Sequence, residues 1–212
     1  MSAAALRSLL PDGHRHARQA VPFLGALALA PARVHEFCGP ARRTLALLAA
    51  RAIPGPVLWI RPGWLPERLH PEGVLPFTEP GRLIFVTPRR PEDLLWCAEE
   101  ALRAGAAPLV VAECPEPPRL TPVRRLSLAA EAGAEAAPGL RLPPPLGLLL
   151  TPGDGGAQGA ETRWRLCPRH DATRTRWRLS LLRARAAPPA EWDLSLHPGG
   201  FALARARPVT ET

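Results

Sequence analysis

The turn Gly39-Pro40-Ala41-Arg42-Arg43-Thr44 follows a short strand-like run and opens a helix-like one. A glycine turn between a strand and a helix can cradle phosphate, because free N–H groups and the helix dipole point at the anion. Thr44 stands where a magnesium-binding hydroxyl would stand, and Arg43 takes the place of a phosphate-loop lysine. A guanidinium can pair with phosphate. The loop is nevertheless short, lacks its second glycine, and belongs to a chain without a single lysine. Its backbone cannot wrap a triphosphate, and the segment reads equally as an ordinary strand–helix turn. Glu113 ends the apolar run Leu109–Ala112. An acid at the end of a central strand can hold magnesium or activate water, or simply reach solvent.

A second constellation is cationic. Between Arg163 and Arg185 lie eight arginines (163, 165, 169, 174, 176, 178, 183, 185) against one acid, Asp171. The remaining chain is nearly balanced, with 19 arginines against 18 acids, so the net charge of +8 is concentrated in this segment. In Arg163-Trp164-Arg165 and Arg174-Thr175-Arg176-Trp177-Arg178, period-two alternation puts tryptophan on one face and arginine on the other. Tryptophan is expected to face the core. The arginines Arg163, Arg165, Arg174, Arg176, Arg178, Arg183 and Arg185 then face solvent, an acidic protein surface, or phosphates. A stacking platform for single strands would need the aromatics on the exposed face instead.

Other chemistry is thinly represented. Ser127, Ser180 and Ser195 lack a nucleophile-elbow context. Cys38, Cys97, Cys114 and Cys167 form no C-x-x-C pair and read as buried thiols in a reducing compartment. His14-Arg15-His16 has metal-like spacing without a third ligand nearby and reads as a solvated polar stretch. Glu99-Glu100 read as the solvated face of a helix. No lysine means no Schiff base and no orthodox phosphate loop. These residues point away from covalent or metal-assisted catalysis and towards a non-enzyme.

The elements that must position these groups follow from hydropathy and turn residues. Residues 2–10 suit a short helix, ended by Pro11-Asp12-Gly13, and residues 21–32 are an apolar lead-in. Residues 33–38 alternate as a strand. Residues 41–52 suit a helix. Residues 56–60, 83–87, 108–113 and 146–151 are apolar runs of the kind buried on both faces of a parallel sheet. A Pro/Gly-rich connection spans 62–81. Pro91-Glu92-Asp93 opens a helix that stops at Gly105, and Thr121-Pro122 opens another that reaches about residue 136. Residues 152–160 (PGDGGAQGA) read as a flexible loop. From 162 the texture changes to period-two segments at 162–168, 174–185, 191–196 and 201–206, an antiparallel meander. The fold class is therefore α/β, a mainly parallel sheet flanked by helices and continued by C-terminal antiparallel strands. One domain is expected over 21–207, with 161–207 as its closing strands, a helix or flexible segment at 1–20 and a tail at 208–212.

The composition agrees with a globular chain: 212 residues, 46% hydrophobic and 22% charged. There is no Lys, Asn or Tyr, while Pro numbers 28 and Gly 17. So skewed a usage reflects coding bias as much as protein chemistry, which weakens any argument from bulk charge to nucleic acid. No secretory pattern opens the chain and no apolar run reaches about 18 residues, so a soluble cytoplasmic protein without a membrane partner is expected.

The order of these pieces resembles the core of RecA-type recombinases. The stretch LIFVTPRRPEDLLWCAEEALRAGAAPLVVAE (83–113) looks like the strand, helix and magnesium-site strand of that fold, and RRLSLAAEAG (124–133) like its next helix. TRWRL (162–166) and TRTRWRLSLLRAR (173–185) look like the closing antiparallel strands. Together with PVLWI, the pattern is similar to the ImuA family over roughly residues 22–205. These are RecA-like accessory proteins of an inducible bacterial translesion-synthesis cassette, encoded beside the polymerase-like ImuB and an error-prone polymerase. The resemblance implies a RecA-like fold and a non-catalytic adaptor in SOS-induced translesion DNA synthesis. It implies ImuB and the error-prone polymerase as partners, with the recombinase filament and DNA as further candidates. It places the phosphate-loop position on Gly39, Pro40, Arg43 and Thr44 and the magnesium acid on Glu113. The departures at that loop argue against ATP and magnesium as cofactors. SOS-type cell-division inhibitors resemble the same fold, also lack the phosphate loop, and bind the tubulin-like division protein. They are the alternative reading. A third reading is an unorthodox ATPase that uses Arg43.

Overall fold

The computed structural model describes residues 20–136 and 142–206. The helix expected at 2–10, the His14/His16 pair, the joint at Pro138-Gly139 and the 208–212 tail lie outside them. A nine-stranded mixed sheet forms the centre. The strands are β1 (Val21–Leu24) and β2 (Leu27–Leu29), which pair with each other alone, then β3 (Val34–Cys38), β4 (Val57–Ile60), β5 (Leu83–Val86), β6 (Leu109–Glu113), β7 (Leu146–Thr151), β8 (Thr162–Pro168), β9 (Arg176–Ala184), β10 (Ala190–His197) and β11 (Gly200–Arg205). The large sheet runs β5-β4-β6-β7-β3-β8-β9-β10-β11. Pairings from β5 to β8 are all parallel; β8 to β11 are all antiparallel. The expected α/β architecture with an antiparallel C-terminal extension is therefore present.

Helices α1 (Arg42–Ala52), α2 (Pro71–Val74), α3 (Pro91–Ala104) and α4 (Leu120–Ala136) connect the parallel strands. Period-two alternation divides the apolar side chains between two cores. Phe37, Val57, Trp59, Leu109, Val111, Leu148 and Leu150 join the core that includes α1 and the β1–β2 hairpin. Val34, Ile60, Val110, Ala112 and Leu149 join the one built on α3 and α4. The first core continues under the meander through Trp164, Leu166, Trp177 and Leu179, as the alternation of that segment requires.

Three readings are corrected here. The 21–32 lead-in is a hairpin whose Phe23 packs edge-on against Trp164 at 5.3 Å between ring centroids. Strand β3 does not alternate between core and solvent. All five residues are buried, including His35 and Glu36, because helices and hairpin cover both faces at the centre of the sheet. Strand β5 is not buried on both faces. It is the outermost strand, and Ile84 and Phe85 are about half exposed (50% and 47%). An apolar run gives no sign of whether its strand is central or at an edge. Within the 62–81 connection lie α2 and a 3₁₀ turn at Pro80–Arg82. Arg82 donates from there to the carbonyl oxygens of Ala50, Ile53 and Gly55, placing a cation at the C-terminus of α1.

Helices α3 and α4 touch through backbone. A Cβ at Gly133 would sit 2.0 Å from the Leu102 carbonyl oxygen, so any side chain there forces the helices apart. Glu99, read as solvated, is buried at that crossing and pairs with Arg103 at 2.6 Å and Arg125 of α4 at 2.8 Å; Glu100 is the exposed one of the two.

His35 is fully buried and uncharged. Its Nε2–H donates to the Ala30 carbonyl (3.0 Å), so Nδ1 accepts from the Thr162 hydroxyl (2.7 Å), which itself accepts from Trp164 Nε1–H (2.9 Å). Burial pushes the imidazole pKa down to about 4, helped by nearby Arg33 and opposed by the Ala30 bond. The unfolded chain titrates near the ordinary histidine value and takes up a proton first. The stability of the neutral form is thus complete above about pH 6.5 and is lost as pH falls towards 4. Urea unfolding at stepped pH should show a loss of about 2–3 kcal/mol between pH 7 and 4.5, and His35→Gln should remove most of that slope. A slope unchanged by the substitution would contradict a buried neutral imidazole.

Candidate functional site

Arg43 and Glu113, 70 residues apart in sequence, meet in space. Arg43, in the first turn of α1, donates from Nη2 (2.6 Å) and Nε (3.1 Å) to Glu113 Oε2 at the end of β6. Trp59 Nε1–H of β4 donates to Glu113 Oε1 at 2.7 Å. The carboxylate is therefore held on both oxygens by its own chain. Its position follows from strand register. Trp59 pairs with Val111, and residues 109, 111 and 113 share the face that α1 covers. The first turn of α1 contains no acid and its start has no side-chain cap. A negative charge is brought there by Arg43 instead, where such a terminus favours one.

The turn itself is also occupied. Gly39 has φ +89, and a Cβ there would lie 2.7 Å from the Leu166 carbonyl oxygen, so β8 crosses against the turn where a ligand would have to approach. Gly39 N–H donates to Gly153 O (2.9 Å) and Ala41 N–H to Leu166 O (3.1 Å). Pro40 is exposed and Thr44 half-buried. The arrangement has backbone donors and a cation in the right order for phosphate, and these donors and this cation already have partners.

What closes the turn is a buried carboxylate that sequence reasoning passed over as one residue of an alternating strand. Glu36 Oε1 accepts from Thr151 Oγ1 (2.7 Å), Gly156 N–H (2.7 Å) and Ala157 N–H (2.9 Å), and Oε2 accepts from Arg163 Nε. The 152–160 segment, read as flexible, is drawn over β3 by these bonds, and its Gly153 carbonyl takes the Gly39 N–H. The available signal was a lone acid inside an apolar strand, which must be paired when buried. Trp59 was missed similarly. A buried indole N–H needs an acceptor, and the acid ending the neighbouring strand is the nearest candidate by register.

The arginine-rich meander is more nearly neutral than its own stretch of sequence suggests. Its tryptophans face inward as expected, with Trp164 and Trp177 buried. The arginines are not an open cationic face. Arg163 pairs with Glu36, Arg165 with Asp154, Arg176 with Asp171, Arg185 with Glu161, and Arg178 with both Glu191 (2.8 Å) and Asp193 (3.0 Å). Arg174 and Arg183 are exposed and make no ion pair among the described residues. A charge count over one stretch of sequence omits the acids that other elements bring beside it. The Thr173 amide and hydroxyl donate to Asp171, at the tip of the β8–β9 hairpin, and hold its carboxyl down to about 2. Arg178 and the Ser180 hydroxyl likewise lower Glu191.

Two of the four thiols are held protonated. Burial pushes Cys38 and Cys114 up to about 12, and Cys97 and Cys167 are half-buried. Among the described residues no group of three or more His, Cys, Asp or Glu gathers as a metal site, and no helix is long and apolar enough to cross a membrane. No protein-family model matches the chain, and no curated protein matches it significantly.

If Arg43 and Glu113 act as one unit, a double-mutant cycle should reveal it. Arg43→Met and Glu113→Gln should each cost about 2 kcal/mol, because each leaves a largely buried partner unpaired. The double variant should cost at least about 1 kcal/mol less than their sum. Additive losses in guanidinium unfolding would contradict the pairing.

Proposed function

We propose that the chain is a non-catalytic, RecA-like adaptor of the ImuA type, acting in SOS-induced, error-prone translesion DNA synthesis in the cytoplasm. The observation that carries this reading is the self-filled nucleotide position. Arg43 is committed to Glu113, and the Gly39 and Ala41 amides are committed to Gly153 and Leu166. A protein built this way uses the scaffold without the hydrolysis cycle. Strand order supports the RecA-like part. The first parallel strand, β3, carries the glycine turn and its helix, and the acid-ended β6 lies two strands away, the places that the resemblance implies for phosphate turn and magnesium acid. The β8–β11 meander stands where closing antiparallel strands are implied.

An adaptor needs a binding surface, and the β5 edge offers one. Among the described residues it presents an unpaired row of backbone groups flanked by Ile84 and Phe85, and natural proteins seldom leave an apolar edge uncovered without a partner. ImuB and the error-prone polymerase are the partners that this reading assigns. The recombinase filament and DNA are secondary ones.

Co-purification of the tagged protein from DNA-damaged cells, read by mass spectrometry, should recover ImuB and the error-prone polymerase. Recovery of the tubulin-like division protein without them would overturn the reading in favour of a division inhibitor. In parallel, Arg43→Ala should leave any response of the melting temperature to millimolar ATP with magnesium unchanged, because only a ligand held at the turn would lose binding with that side chain. A rise abolished by Arg43→Ala would establish the ATPase reading instead.

A further inference from the structure

The parallel strands β4 and β5 end side by side, and the segments that leave them build an open cleft of about 330 Å³. It is lined by Arg61, Gly63, Trp64, Arg68, Thr87 and Arg89. Three of these six are cationic and none is acidic. Neither Arg43 nor Glu113 lines the cleft, although Arg61 directly follows Ile60, the register partner of Ala112, and the lining residues have no part in the adaptor reading. Crevices outside the carboxyl ends of parallel strands are where open α/β sheets hold ligands.

The floor is rigid. Arg61 N–H donates to Val86 O and Gly63 N–H to Pro88 O, each at 2.9 Å, so the two segments are tied together. Arg61 is only 3% exposed. Its Nη2 donates to the Leu65 carbonyl, but its Nη1 is buried with no acceptor among the described residues. No carboxylate lies within ion-pair distance of it among those residues. A buried guanidinium without a counter-charge is costly, and natural proteins keep such a group where an anion completes it. Arg68, Arg89 and Thr87 are exposed around it, and Trp64 is 42% exposed on the same wall.

We propose that this cleft binds a nucleotide unit, its phosphate held by Arg61, Arg68 and Arg89 and its base stacked on Trp64. Planar guanidinium groups match phosphate oxygens two at a time. An exposed indole beside them supplies the stacking face that the meander, with its tryptophans buried, does not. The volume lies at the small end of ligand sites and suits one base with its phosphate. The unit is either a free nucleotide or one residue of a single strand. The proposal does not depend on the adaptor reading, because it makes no use of ImuB or of the filled turn.

The test is fluorescence anisotropy of the full chain with a labelled oligothymidylate of about twenty nucleotides, a length spanning at least one typical single-strand site. Thymidine monophosphate and pyrophosphate serve as competitors. Removing both exposed cations, Arg68→Ala with Arg89→Ala, should weaken binding at least about tenfold and flatten its salt dependence. Trp64→Ala should weaken it about tenfold. Arg174→Ala with Arg183→Ala, on the meander, should change it less than about twofold. Arg61→Met should also abolish binding, but the conclusion rests on the exposed residues, whose removal leaves the core intact. Competition by the monophosphate identifies a free nucleotide as sufficient; binding of the strand alone identifies a strand. Either supports the site. Absence of binding by every probe, binding indifferent to the cleft variants, or pyrophosphate competing as well as the monophosphate with Trp64→Ala silent, overturns it.

Discussion

The Glu36 carboxylate is the contact on which the central part of the structure depends. It is wholly buried in the middle strand of the sheet, yet each oxygen is satisfied: one by Thr151 and two backbone amides, the other by Arg163. These donors come from β7, the glycine-rich segment after it, and β8. One buried charge thereby fastens the parallel half of the sheet to the antiparallel half. An isolated carboxylate at that depth would be untenable, and its full set of partners makes the register specific. Removing the acid would leave Arg163 uncompensated and two amides without acceptors.

The clamp has a chemical consequence. It draws the 152–160 segment over the strand–helix turn, where Gly153 takes the Gly39 amide and Leu166 of β8 takes that of Ala41. A turn that could have met phosphate meets its own chain instead. The Arg43–Glu113–Trp59 triad does the same for the side chains. Cation and acid, which a nucleotide and its metal would otherwise separate, neutralise each other directly. The two surfaces proposed for binding lie elsewhere: the apolar β5 edge, and the arginine-lined cleft at the ends of β4 and β5.

Much of the fold could be read in the chain. The apolar runs at 56–60, 108–113 and 146–151, the Pro91 start and Gly105 stop of α3, and the period-two meander all lie within a few residues of the elements observed. These signals are local, and local propensity and tertiary structure agree there. What the chain did not reveal are facts about neighbours. Whether 83–86 is central or an edge depends on strand order, which no single strand encodes. The burial of Glu99 depends on how closely α4 approaches, and that depends on Gly133. At the candidate site, Arg43 and Glu113 were each visible as types, but their mutual pairing needed the strand order β3-β7-β6, and the bond from Trp59 needed the register of β4 against β6. The meander arginines were visible as a charge run, while of the six acids that pair with them five lie outside that run and one, Asp171, at its own hairpin tip.

The closure of the phosphate turn by the Glu36 clamp is tested most directly by amide hydrogen exchange, resolved by residue, at Gly39, Ala41, Gly156 and Ala157. All four amides donate within the chain, so they should exchange only through global unfolding, with protection that tracks overall stability whether or not ATP is present. Rapid exchange at Gly39 and Ala41 through a low-energy local opening, or protection there that rises on adding ATP by more than overall stability does, would contradict it.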